Sequence, residues 1–161
     1  MTEEQRYESA RRVVEKLMAK GWTISFAESC TGGMACARLV DVPNASNVLN
    51  ASFVTYANEA KENLLGVWKV TLERHGAVSE ETAYQMAAGA ARANKAQVGV
   101  GISGIAGPGG GPEEKPVGTV CFGFSIDGKL YTATEHFGNP GRQEVRRAAV
   151  DFVFQSLEEL L

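Results

Sequence analysis

The sequence predicts an α/β fold in which helices cover a mixed β-sheet. Three observations carry that expectation. Short β-rich runs alternate with helical stretches through the N-terminal part of the chain, the arrangement that feeds parallel strands. Two β-rich runs then flank Asp127-Gly128, as in an antiparallel hairpin. A long amphipathic stretch closes the chain.

The elements follow in order. Tyr7, Ala10, Val13, Val14, Leu17 and Met18 recur at helical spacing and Gly21 follows them, so a helix should span residues 3–20. "WTISFAES" is a short β-like run. "TGGMACARLVDVP" reads as a helix that ends before Pro43. "VLNASFVTYA" is β-rich, and "NEAKENLLG" is a short helix with Asn58 as its N-cap and Gly66 as its stop. "HGAVSEETAYQMAAGAARAN" contains a helix capped by Ser79, with Glu80 and Glu81 suiting its first turn. "AQVGVGISG" is a buried type of strand, and "IAGPGGGPEEKP" is a loop of glycine, proline and charge. "VGTVCFGFSI" and "KLYTATEHF" form the hairpin. "GRQEVRRAAVDFVFQSLEELL" is the final helix, with Val145, Ala148, Ala149, Phe152, Val153, Leu157 and Leu160 on one face. The order is α-β-α-β-α-α-β-β-β-α. With no repeat, linker or low-complexity tract, residues 1–161 read as a single domain.

Composition narrows the function. Hydrophobic residues make up 44% of the 161 residues and charged ones 22%, as in ordinary globular proteins. A net charge of −3 argues against a general nucleic-acid binder. Three cysteines (Cys30, Cys36, Cys121) form no CxxC pair, which argues against a disulfide framework or a zinc site and suits a reducing cytosol. His75 and His136 lie far apart, so no histidine-rich metal centre is expected. The charged N-terminus has no apolar core of a signal peptide, and no apolar run approaches membrane-spanning length.

The chemistry points to "AESCTGG" at 27–33. It stands where a strand turns into a helix, the place where α/β sheets bind ligands. Ser29 there suits a nucleophile, with the N–H groups of Thr31, Gly32 and Gly33 as an oxyanion hole. The other reading is that Ser29 or Thr31 caps the helix and the glycines permit the turn. Cys30 is the rival nucleophile, or a small buried hydrophobe. A serine needs a base. Lys61, in the first turn of a helix, has a dipole against its charge, and partial burial would lower its pKa further. Tyr56, at a strand end, would relay a proton between Ser29 and Lys61. The alternative is a solvated lysine and a core tyrosine. In the glycine loop, Gly104, Gly107, Gly109, Gly110 and Gly111 let backbone approach a ligand and can form an anion nest. The loop is neither a P-loop nor a dinucleotide fingerprint. Arg142, Arg146 and Arg147 stand at the start of the last helix, where they either meet an anion such as a phosphate or form a solvated face.

"AESCTGG", "FVTYANEAK", "HGAVSEETA", "GISGIAGPGGG" with "EKPVGTV", and "RQEVRRAAV" occur in the same order in the CinA C-terminal domain family. The chain resembles that family from about residue 5 to residue 158. The resemblance implies a three-layer α/β/α sandwich. It implies hydrolysis of nicotinamide mononucleotide (NMN) to nicotinate mononucleotide and ammonia in pyridine nucleotide recycling, without metal or other cofactor. It implies Ser29 as nucleophile with Lys61 and Tyr56 as activating partners. Substrate binding falls to Thr31, Gly32, Gly33, Ser103, Gly104, Gly107, Gly109, Gly110 and Arg142. It suggests a cytoplasmic homodimer of the stand-alone type, lacking the extra N-terminal domain of longer members, with no nucleic-acid or membrane partner. Two departures stand out: Ser103 replaces a threonine common in relatives, and "PNAS" at 43–46 replaces a usual "GS". A non-catalytic nucleotide-binding paralogue would use the same loops without an activated serine.

Overall fold

The computed structural model describes residues 1–161. The chain runs α1 (Glu3–Lys20), β1 (Ile24–Glu28), α2 (Met34–Val40), a 3-10 turn (Ala45–Asn47), β2 (Phe53–Val54), α3 (Asn58–Leu65), α4 (Lys69–His75), α5 (Glu80–Asn94), β3 (Val98–Gly104), β4 (Thr119–Ile126), β5 (Lys129–His136) and α6 (Arg142–Leu160). The sheet order is β2-β1-β3-β4-β5. β1 pairs in parallel with β2 and β3, whereas β3–β4 and β4–β5 are antiparallel. The sheet is therefore mixed. Helices α1, α2 and α6 pack together on one face, and α3, α4 and α5 on the other, giving three layers.

Local chemistry sets the ends of the elements. Thr2 and Gln5 form a capping box on α1, and Gly21, at φ 66°, ends it in the left-handed region. Ser79 caps α5 by accepting from Thr82 N–H at 3.1 Å. The β4–β5 hairpin turns at Asp127 and Gly128, with φ of 48° and 85°, as the primed turns of tight hairpins require.

Two points differ from the sequence expectation. The N-cap of α3 is Ala57, with no side-chain bond, and Asn58 is the first helical residue. Residues 69–75, assigned to no element from sequence, form α4; its cap, Trp68, also makes no side-chain bond, so no start signal marks the helix.

The two faces of the sheet are packed differently. Phe26, Val100, Ile102, Phe122 and Phe124 meet Val145, Val153 and Phe154 of α6 in the larger core. The opposite face carries Gly101 and Gly123. A Cβ at either would stand 2.2 or 2.3 Å from the Ala83 carbonyl oxygen of α5. That helix therefore lies with its backbone on the strands, and only hydrogen atoms fit between. Strands β1, β3 and β4 are buried on both faces, and the C-terminal ends of β1 and β3 lie beside the N-terminal end of β4 at one end of the sheet. No helix is long and apolar enough to cross a membrane.

Candidate active site

At the end of β1, Glu28 is fully buried, and its carboxylate accepts from the N–H groups of Ala35 (2.9 Å) and Cys36 (3.1 Å). An acid from the preceding strand thus caps the start of α2 and complements its dipole. The N-cap residue, Gly33, makes no side-chain bond. Neither Ser29 nor Thr31 caps this helix, so their hydroxyls are free for other work.

Ser29 N–H donates to the Ile102 carbonyl at 3.0 Å, which ties the turn to the end of β3. Gly32 N–H closes the turn on the Ser29 carbonyl at 3.0 Å. It is thus unavailable as an oxyanion donor, contrary to expectation. The N–H groups of Cys30, Thr31 and Gly33 have no partner in the fold. Of the expected donors, Thr31 and Gly33 are free, and Cys30 joins them.

Lys61 is fully buried. Its Nζ lies 3.2 Å from Ser29 Oγ, 2.7 Å from the Thr55 carbonyl and 3.2 Å from the Tyr56 carbonyl. Burial lowers the amine's pKa from that of an ordinary lysine. A neutral amine has two N–H bonds and one lone pair. With the two carbonyls taking the N–H bonds, the lone pair is left for the Ser29 hydroxyl. The arrangement suits proton abstraction from a serine.

Tyr56 is placed differently from the expectation of a relay. Its ring is 62% exposed, and its hydroxyl accepts from Arg142 Nη2 at 3.0 Å. The phenol bonds to neither Ser29 nor Lys61; the backbone carbonyl of Tyr56 meets the lysine instead. The Thr55 and Tyr56 carbonyls turn inward to the buried amine, while the phenol reaches outward to Arg142, the first residue of α6. Arg142 Nη1 also donates to the Gly107 carbonyl at 2.7 Å, so this arginine links the glycine loop to Tyr56.

Other expected residues divide. Ser103 is buried at the end of β3, and Gly104 packs on Thr119 and Val120. Gly109 and Gly110 sit at an exposed loop tip, where a Cβ on either would meet no atom within 4 Å. Cys30 is buried, and its thiol is pushed up to about 11 by that burial. It is protonated near neutral pH, a poor nucleophile. Nowhere do three His, Cys, Asp or Glu side chains converge as a metal site would need.

Two residues of the site have no role that the sequence alone assigns. Glu28 belongs to the "AESCTGG" corner, and an acid beside small residues is the only sequence signal. Arg146 is one of three neighbouring arginines that sequence does not tell apart. Its Nε donates to the Cys30 carbonyl at 2.9 Å and its Nη2 to the Thr31 carbonyl at 3.2 Å. Spacing four residues after Arg142 puts both on one face of α6. Arg147 points elsewhere, paired with Glu144 at 2.5 Å.

Residues 6–161 match the CinA C-terminal domain. The chain belongs to that family. It is 46% identical over 157 residues to an Enterobacter agglomerans protein named nicotinamide-nucleotide amidohydrolase PncC, covering 97% of this chain and 95% of that one. A protein of that name from Escherichia coli K12 is 45% identical over 158 residues, covering 98% and 95%. The family also holds longer chains: a CinA-like protein of Petrotoga mobilis is 48% identical over 145 residues, which are 36% of its length. Among solved structures, the competence/damage inducible protein CihA from Agrobacterium tumefaciens superposes with a TM-score of 0.93 at 42% identity, covering 96% and 94%. A CinA superfamily protein from Escherichia coli superposes with a TM-score of 0.94 at 35% identity, covering 100% and 94%. The three-layer sandwich is thus the fold of the family.

Proposed function

We propose that this chain is a nicotinamide-nucleotide amidase, hydrolysing the carboxamide of NMN to nicotinate mononucleotide and ammonia. The observation that carries the reading is the buried Lys61 amine, 3.2 Å from Ser29 Oγ and held by two backbone carbonyls. The relatives named amidohydrolase, similar along almost their whole length, support the choice of substrate.

Neutral Lys61 takes the proton of Ser29, and Oγ attacks the carboxamide carbon. The carbonyl oxygen becomes an oxyanion held by the free N–H groups of Cys30 and Thr31. Lys61 returns the proton to the nitrogen, the C–N bond breaks, and ammonia leaves. Water, deprotonated by Lys61, then attacks the acyl ester. Ser29 recovers its proton and nicotinate mononucleotide departs. The cationic pyridinium ring withdraws electrons from the carboxamide and makes its carbon more electrophilic. Ser103, Gly104 and the Gly107–Arg142–Tyr56 link form the wall for the rest of the nucleotide, with Arg142 suited to its phosphate.

The protein works as a homodimer in the cytoplasm and serves pyridine nucleotide recycling. Three unpaired cysteines suit a reducing compartment. Exposed apolar side chains at the β2 edge suit a second copy.

Ammonia release from NMN, measured with EDTA present, tests the reaction. Ser29→Ala and Lys61→Ala should each cut kcat by roughly a thousandfold or more while the fold survives. Near-wild-type turnover in either variant sinks the mechanism. NMN binding without ammonia release by the wild type would make the chain a nucleotide-binding relative instead.

A further inference from the structure

We infer that Arg146 is a positioning residue whose guanidinium clamps the Ser29 turn and aims the Thr31 N–H as an oxyanion donor. The inference rests on the hydrolase reading above and deepens it.

The Cys30 carbonyl and the Thr31 N–H belong to one peptide unit. In a planar trans peptide the two point in opposite directions, so whatever holds one aims the other. Arg146 Nε holds that carbonyl at 2.9 Å. The Thr31 N–H at the other end has no partner, although Thr31 is fully buried. A buried N–H left without a partner is rare and costly in a folded protein, and here the substrate's oxyanion would supply the missing acceptor.

The next peptide is held by the same guanidinium. Its carbonyl, on Thr31, accepts from Arg146 Nη2 at 3.2 Å and from Met34 N–H at 3.0 Å. Its N–H, on Gly32, closes the turn on Ser29. One planar fork thus fixes two consecutive peptides, Cys30–Thr31 and Thr31–Gly32, which begin one residue past the nucleophile. A cationic donor also polarises the carbonyl it holds, and the N–H at the far end becomes a stronger donor. Gly32 leaves the fork its place: a Cβ there would stand 3.3 Å from Arg146 Nη2. Lysine, a single point charge, cannot bridge both carbonyls in this geometry.

The test uses two reactions on the full chain. One is ammonia release from NMN. The other is labelling by an alkyl fluorophosphonate, which needs no nucleotide. In labelling, the Ser29 Oγ–P bond forms, the P–F bond breaks, fluoride leaves and the serine proton passes to Lys61. The phosphoryl oxygen uses the same donors as the oxyanion.

In Arg146→Gln, kcat and the labelling rate should both fall roughly ten- to a hundredfold, with the KM for NMN within about twofold of wild type. Arg147→Gln should match wild type in both. Wild-type labelling and kcat in folded Arg146→Gln would overturn the clamp, as would a rise in KM alone. If Arg146→Gln does not fold, Arg146→Lys is read in the same way, with melting followed in parallel. If the wild type labels but releases no ammonia, the amidase reading fails and the labelling comparison alone decides the clamp.

Discussion

Lys61 brings an amine into the protein interior with no carboxylate in ion-pair distance. Burial therefore disfavours its charged form, and its pKa lies below that of a free lysine. The base acts only when neutral, so kcat/KM should rise with pH through that lowered pKa and then level off. The sign for stability follows the same group. Unfolded, Lys61 keeps its proton up to the ordinary lysine range; folded, it releases it at lower pH. Between those two points the unfolded chain binds more protons, so stability rises with pH there. Urea titrations at rising pH, below the ordinary lysine range, should show that rise, and Lys61→Met should flatten it. A wild-type pH–rate profile that stays flat across this range would remove Lys61 as the base. The small-residue corner and a lysine in a helix's first turn single out Ser29 and Lys61 in the sequence but leave a helix cap and a solvated lysine open. The family resemblance, not a local signal, implied their pairing, and the fold brings the two polar atoms to 3.2 Å. The direction of the Tyr56 phenol was not legible in the sequence. It depends on Arg142, 86 residues away in the chain, and no local pattern encodes such a partner. For the same reason sequence could not divide the roles of Arg142, Arg146 and Arg147.

Glu28 decides the geometry of α2, a helix too short to be stable through propensity alone. Its carboxylate takes two of the orphan N–H groups at the helix start. Glu28→Gln keeps one acceptor oxygen and presents an NH2 group to the other N–H, leaving that donor buried and unpaired. The expected loss is about 1–3 kcal/mol in urea unfolding, with slower ammonia release because the Ser29 turn leads directly into this helix. Unchanged stability in Glu28→Gln would show that the cap contributes nothing. At this scale the long elements were readable, since α1 and α6 have strong apolar periodicity and α1 also has clear end signals. The sites of weak signal were not. α4 has no side-chain cap, and β2 is only two residues long inside a longer β-rich run. Tertiary contact, not local preference, makes those elements.

The order of the elements allowed the mixed sheet to be expected, but the surface that the fold leaves uncovered emerges only in three dimensions. β2 is an edge strand, and the residues following it place apolar side chains in solvent: Val54, Tyr56, Leu64, Val70 and Trp68, the last 67% exposed. They come from β2, the segment that follows it, α3 and the start of α4, which are consecutive along the chain. Exposed apolar side chains in successive elements suit a second copy of the chain. Tyr56 belongs to this surface and, through Arg142, to the wall of the candidate site. Dimer formation and turnover should therefore be linked. Light scattering at micromolar concentration should give twice the chain mass for the wild type and a single chain mass for Trp68→Glu, whose buried charge a dimer interface would not tolerate. Since Trp68 touches none of the proposed reacting groups, ammonia release per chain should fall in Trp68→Glu through the KM for NMN, as the Tyr56–Arg142 wall loses its support. A wild type that stays monomeric at that concentration would end the dimer reading. A monomeric Trp68→Glu with full activity would keep the dimer and cut its link to the site.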